Sequence, residues 1–256
     1  DSSQELALYS ELSSHAGYPK TLGYLSLHLG RKSEALTYLE RAAEIDIASG
    51  NPTQALHGLR ALLNGLPLAP IDKARVQCKA AATASSLGQF DQAIELYQGI
   101  LANPESQLGL GETLLKLGRY QDAASHLHPL LRSSLKPSPA IAPLLARAYL
   151  LSGALDQAES VLDEALQDPT HPHKINLLST QGLVHYFRGN LELAQRALED
   201  SYKLGTSLNP SPLVHQELDA TRSNLAMVLA KRAGLKPRDL AEKTFAFLGF
   251  LLLLIL

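Results

Sequence analysis

The chain has 256 residues, 45 % of them hydrophobic but only 5 % aromatic, with 23 basic against 25 acidic side chains and a single cysteine. That content suffices for a core of mostly Leu and Ala, which favours helix, and one cysteine excludes an internal disulfide and fits a reducing compartment. A net charge of −2 with no dense basic run lacks the phosphate-facing cluster that nucleic-acid binding by this segment would need.

Along the chain, one short pattern recurs. Leu29-Gly-Arg-Lys-Ser-Glu-Ala returns as Leu87-Gly-Gln-Phe-Asp-Gln-Ala, Leu117-Gly-Arg-Tyr-Gln-Asp-Ala and Ser152-Gly-Ala-Leu-Asp-Gln-Ala. In all, Gly30, Gly50, Gly88, Gly118, Gly153 and Gly189 each stand five residues before Ala35, Ala55, Ala93, Ala123, Ala158 and Ala194. Glycine ends one helix in the left-handed conformation. The polar residues after it, Asp, Ser or Asn among them, suit the exposed amides of a second helix. The alanine then lies in the first turns of that helix, where a small side chain permits close approach.

Each of these turns predicts a helical hairpin. Seven residues before the turn glycine stands another small residue, namely Gly23, Ala81, Gly111, Ala146 or Gly182, so that small faces small across the hairpin. Four residues past each alanine comes a large one: Leu39, Leu59, Tyr97, Leu127, Leu162 and Leu198. With Leu22, Ala80, Leu110 and Leu145 on the first helices, they form an apolar stripe of helical period. The alanine spacings are 20, 38, 30, 35 and 36 residues. The first is too short for a hairpin, so segment 33–48 is expected to serve as second helix of one unit and first helix of the next, with Ala43 in the small-residue place. Residues 211–233, with Arg222-Ser-Asn-Leu-Ala226, supply one more first helix.

The end of the chain differs. Phe245–Leu256 is apolar on every side, 12 residues where a membrane span needs about 20. A buried terminal helix, the opening of a membrane anchor, and a partner-docking segment or sequence artefact are its competing readings. The chain starts at Asp1 without Met, consistent with a piece cut from a longer protein.

The conjunction of glycine, alanine and flanking residues over roughly residues 16–205 resembles the tetratricopeptide repeat, a helical hairpin of about 34 residues. This chain departs from that pattern in lacking tryptophan and in closing repeats with proline only near Pro104 and Pro169. The resemblance implies an all-α, right-handed superhelical solenoid of antiparallel hairpins, about six of them over residues 1–241, with 242–256 as an apolar tail. It also implies that first helices line a concave groove, exposing Lys20, Tyr24 and His28, then Arg75 and Lys79, Glu112 and Lys116, Arg147 with Leu150 and Leu151, Thr180, Tyr186 and Phe187, and finally Asn224 and Lys231. That strip is polar, somewhat basic and carries aromatic handles, which suits an extended or helical peptide bearing acidic groups.

The function implied is a scaffold or adaptor binding a partner peptide or protein, with a cytoplasmic address or, alternatively, membrane association through the tail. The runner-up is the sensor arm of a larger transcription regulator that binds an effector. The family's chaperone-tail mode, which clamps a terminal carboxylate, lacks its intervening partners between Lys79 and Asn224.

Chemistry is not expected. His126-x-His128 would point to opposite sides of a helix, and His171-Pro-His173 sits in a turn, so neither makes a metal pair. Gly109-Leu-Gly111 precedes no phosphate-loop lysine and reads as close helix packing, and Cys78 as a filler thiol. No nucleophile elbow or cofactor motif is present, so an enzyme is not expected and no cofactor is implied. Ala123→Leu should overpack its hairpin at a cost of about 1–3 kcal/mol, read by urea denaturation; an unchanged midpoint would refute the packing role.

Overall fold

The computed structural model describes residues 2–13, 17–101, 103–133 and 138–234. Among them are thirteen α-helices and no strand. In chain order they are α1 (Ser2–Ser13), α2 (Pro19–His28), α3 (Lys32–Ala48), α4 (Pro52–Gly65), α5 (Pro70–Ser86), α6 (Phe90–Gln98) and α7 (Pro104–Lys116). There follow α8 (Tyr120–Ser133), α9 (Ile141–Leu151), α10 (Leu155–Leu166), α11 (Lys174–Phe187), α12 (Leu191–Ser207) and α13 (Pro212–Arg232). The fold is an all-α helical repeat of the solenoid class. The chain divides inside α8 into two compact units, residues 1–126 and 127–256. The tail 242–256 lies outside the described residues.

All six turn glycines have positive φ, from +70° at Gly30 to +83° at Gly189. Each closes a pair of backbone bonds. The glycine amide donates to the carbonyl three residues back, as Gly153 does to Leu150 at 3.1 Å, and the next amide donates five residues back, as Ala154 does to Tyr149 at 2.8 Å. This is a Schellman stop. The residue after the glycine then begins the next helix without a capping side chain: Arg31, Asn51, Gln89, Ala154 and Asn190 make no such bond. The expected polar caps are therefore absent at these turns. What remains of the polar signal is charge, with Glu34, Asp91, Asp122, Asp156 and Glu192 in first turns, where the helix dipole favours them. Proline opens α2, α4, α5, α7 and α13, where its missing amide costs nothing.

The alanine of each motif donates the first internal bond of its helix, as Ala194 does to Asn190 at 2.9 Å, and all six alanines are 0 % exposed. The large residue one turn on is what crosses the hairpin. A β-carbon added to Gly23 would stand 2.6 Å from Leu39 Cγ, and one on Gly182 2.6 Å from Leu198 Cγ. Small thus faces large as well as small. Gly109 is likewise closed by the Tyr97 ring of α6. Gly234 is a seventh left-handed glycine, at φ +68°, ending α13. It lacks an alanine five residues on, so the pattern passes it over.

The short step resolves as the sequence implies: α3 packs against both α2 and α4, and Ala43 is buried. Its consequence within the first unit is a change of parity. One row runs α3–α5–α7, tied by Arg75 and Lys79 to Glu40 and by Thr113 to Ser85. The other runs α2–α4–α6, tied by Lys20 to Gln54, Tyr24 to His57 and Arg60 to Gln92. In the second unit α9, α11 and α13 form one row.

Gly182→Ala should cost about 1–3 kcal/mol by forcing Leu198 aside. Gly153→Ala meets no atom within 4 Å and should cost roughly 1–2 kcal/mol through its left-handed backbone alone. Gly17→Ala, with open space, is the neutral control. Chemical denaturation ranks the three; a harmless Gly153→Ala would disprove the turn's role.

Candidate functional site

Of the fifteen residues expected on one strip, those of the first unit fall in two different rows. Lys20, Tyr24 and His28 lie on α2, in the row of α4 and α6, around an open recess shared with Glu5, Thr21 and Leu25. Two of its polar groups already have partners. Lys20 donates to Gln54 at 2.9 Å and lies 3.7 Å from Asp46, and the Tyr24 hydroxyl is 2.8 Å from His57 Nδ1. The physical reason is the parity change: α4 intervenes, so α2 and α5 do not stand in one row.

Arg75 and Lys79 do face the α3–α5–α7 row, but they are not free cations. Arg75 reaches Glu40 at 3.1 Å and Asp72 at 2.7 Å, while Lys79 reaches Glu44 at 2.8 Å and Glu40 at 3.2 Å. Glu40 is a buried carboxylate and requires such partners. Partial burial works to lower the Lys79 ammonium, yet hydrogen bonds and charge from Glu44 and Glu40 outweigh it and hold its pKa above the ordinary value. Both cations are thus engaged by carboxylates of their own unit. Glu112 and Lys116 are exposed on α7.

In the second unit, α9, α11 and α13 enclose a recess of about 410 Å³. Arg147, Leu150, Leu151, Thr180 and Asn224, all named from sequence, line it together with Asn176, Ser179, Leu183, Leu213, Gln216, Glu217 and Ala220. Two of the named residues are not exposed as expected. Thr180 and Leu150 are each only 6 % exposed, and the Thr180 hydroxyl donates to the Asn176 carbonyl at 2.9 Å within its own helix. They form the floor. Leu151 and Leu213, 42 % and 57 % exposed, form apolar walls.

The polar lining is only partly used. Asn224, which lines the recess, donates to Ser179 Oγ at 3.2 Å and keeps its amide oxygen unused. Asn176 Oδ1 takes a long bond of 3.4 Å from Thr180, which leaves its amide hydrogens. Among the described residues Arg147 has no ion-pair or hydrogen-bond partner, and neither has Glu217, whose carboxyl is pushed above the usual range by burial. Sequence reasoning missed Asn176, Gln216 and Glu217. They lie nearer the N-terminal ends of long inner helices, far from the turn motif that served as the ruler.

Tyr186, Phe187 and Lys231 stand apart from this recess. Lys231 Nζ lies 4.3 Å above the Tyr186 ring, Phe187 meets that ring edge-on at 5.5 Å, and Tyr186 also packs against the buried cluster of Ala194, Leu198 and Val228. Their main engagement is with one another and with the core.

No group of three potential metal ligands occurs among the described residues. His126 Nε2 contacts the Gln107 carbonyl at 3.1 Å, and His128 Nδ1 lies 2.8 Å from the Tyr149 hydroxyl. Cys78 is buried, and its thiol is pushed up to about 11 by that burial and by the Glu105 charge, which keeps it protonated. No described helix is long and apolar enough to cross a membrane.

Stacked hairpins with left-handed glycine turns, buried alanines and a recess across first helices define a helical-repeat interaction protein. Residues 21–46 match one tetratricopeptide-repeat profile, and residues 78–127 and 108–172 match a second. Over those stretches the chain is built of tetratricopeptide repeats, and its general class is a scaffold for protein–protein interaction. The interval between the two matches, 47–77, contains α4, the helix behind the parity change.

Solved structures agree on the fold. Residues from 41 onward of MamA from Desulfovibrio magneticus RS-1 superpose with a TM-score of 0.57 at 16 % identity, covering 68 % of this chain and 97 % of that one. The kinesin-light-chain-like repeats of Podosopora anserina give 0.57 at 20 %, covering 69 % and 98 %. A thermophilic repeat protein of Thermus thermophilus gives 0.55 at 19 %, covering 76 % and 98 %. No curated protein matches the sequence significantly.

Lys79→Glu would set a third carboxylate beside Glu40 and Glu44. It should destabilise the first unit by roughly 1–2 kcal/mol, between the effect of an exposed pair and that of a broken buried one, and less so in molar salt. Arg147→Glu should leave stability unchanged. Thermal melts at two ionic strengths separate the two; equal losses would contradict the assignment of Lys79 to the fold.

Proposed function

We propose that this chain is an adaptor that holds an extended segment of a partner protein in the α9–α11–α13 recess of its second unit. The carrying observation is that this recess combines unused polar groups with exposed leucines on the same face of three successive inner helices. An extended chain presents a peptide amide and carbonyl at each residue. The Asn224 oxygen can accept from one, the Asn176 amide can donate to the other, and Leu151, Leu183 and Leu213 take the side chains. The cavity lies within the range of specific ligand sites, about 300–1,000 Å³. The first unit supports the reading by contrast, because Lys20, Arg75 and Lys79, three of the cations expected on its strip, are already paired to its own carboxylates. The proposed compartment is the cytoplasm, on the strength of one buried, unpaired cysteine.

Ala220 lies exposed on the α13 wall. Ala220→Trp should fill the recess, leave the melting temperature unchanged and weaken partner retention about tenfold or more, about 1.4 kcal/mol for each tenfold. Proteins retained from native lysate by the wild-type chain and the variant are compared; retention undiminished in the variant would reject the recess as the site.

A further inference from the structure

The two walls of the recess carry matching pairs. On α9, Arg147 and Leu151 stand four residues apart and so share one helix face. On α13, Leu213 and Glu217 do the same. Each wall thus offers one leucine and one charge of opposite sign to the other wall's. Neither charge is neutralised by another group among the described residues, and α11 lies between them. Glu217 is the costlier of the two to the free protein, since burial opposes its ionisation and no cation compensates. A fold without further use for that carboxylate gains nothing by keeping it there.

Resting on the peptide-binding reading above, we infer that the recess selects a partner segment of defined charge order, with an acidic side chain against Arg147 and a basic one against Glu217, apolar residues lying between them. Packed helices stand 8–10 Å apart, so two spacings separate the walls by about 16–20 Å. At roughly 3.3 Å per residue, some five or six residues of extended chain bridge that distance. A free amino acid or a single nucleotide is too short to meet both walls, and a nucleic-acid strand would bring phosphate to Glu217 and be repelled. The occupant is therefore a protein segment bearing both signs. The acidic half of this pattern matches the partner expected from sequence; the basic half is contributed by Glu217.

A random dodecapeptide library displayed on phage is panned against the full chain and against the Arg147→Glu, Glu217→Lys and Ala220→Trp variants. Peptides enriched on the wild type should carry one acidic and one basic residue about five positions apart. Each should bind Arg147→Glu and Glu217→Lys at least tenfold more weakly, and panning on either variant should reverse the sign selected at that end alone. Peptides lost on Ala220→Trp but bound by both charge variants within about twofold would overturn the charge inference while leaving the recess in place. Peptides indifferent to Ala220→Trp, or no enrichment on the wild type, would overturn both.

Discussion

The structure depends on one constraint, the reversal of the chain within two residues after every inner helix. A left-handed residue allows the two returning amides to satisfy carbonyls of the last helical turn, as at Gly153 and Ala154, and glycine alone takes that conformation without a side-chain clash. Because the reversal has no adjustable loop, it sets where the next helix begins. The residue four places into that helix must then lie against its neighbour, and it is alanine, wholly buried, in all six motifs. Leu39 and Leu198 cross from one turn further on into space left by glycine on the opposite helix. Registry of the hairpin and filling of its core are thus consequences of a single turn geometry.

The same rigidity makes the short step consequential. Two tight turns in succession, at Gly30 and Gly50, leave α3 to serve two hairpins. The rows of the first unit are fixed by that sharing, and Glu40 comes to rest, buried, in front of α5. A buried carboxylate has to be compensated, and Arg75 and Lys79 supply the charge. Charges that would otherwise colour a binding surface are thereby consumed by the fold.

In the second unit the balance is reversed. Arg147 and Glu217 face a recess without compensating partners, and Asn176 and Asn224 each keep half of their hydrogen-bonding capacity. Unused polar capacity beside exposed leucines is what a ligand can use: the apolar surface gains on leaving water, and the polar groups exchange water for ligand partners at little net cost. That contrast, more than the sign of any one charge, separates the two units and places the proposed site in the second.

What the sequence determined by itself is whatever depends on local chain geometry. The turns, the buried alanines, the leucine one turn on and the shared use of segment 33–48 are all set by residues within a few positions of one another, so fixed spacings report them. Gly234 escaped because its turn is present while the alanine that flags the others is not. The tertiary structure decided which surface groups remain available. Whether Lys79 is free depends on Glu40 and Glu44, 39 and 35 positions away. Thr180 becomes part of a floor because its hydroxyl turns back to its own helix and its neighbours close over it. Glu217 gains significance only through opposing Arg147 across α11. Availability is a property of the packed neighbours, and no spacing within one helix encodes it.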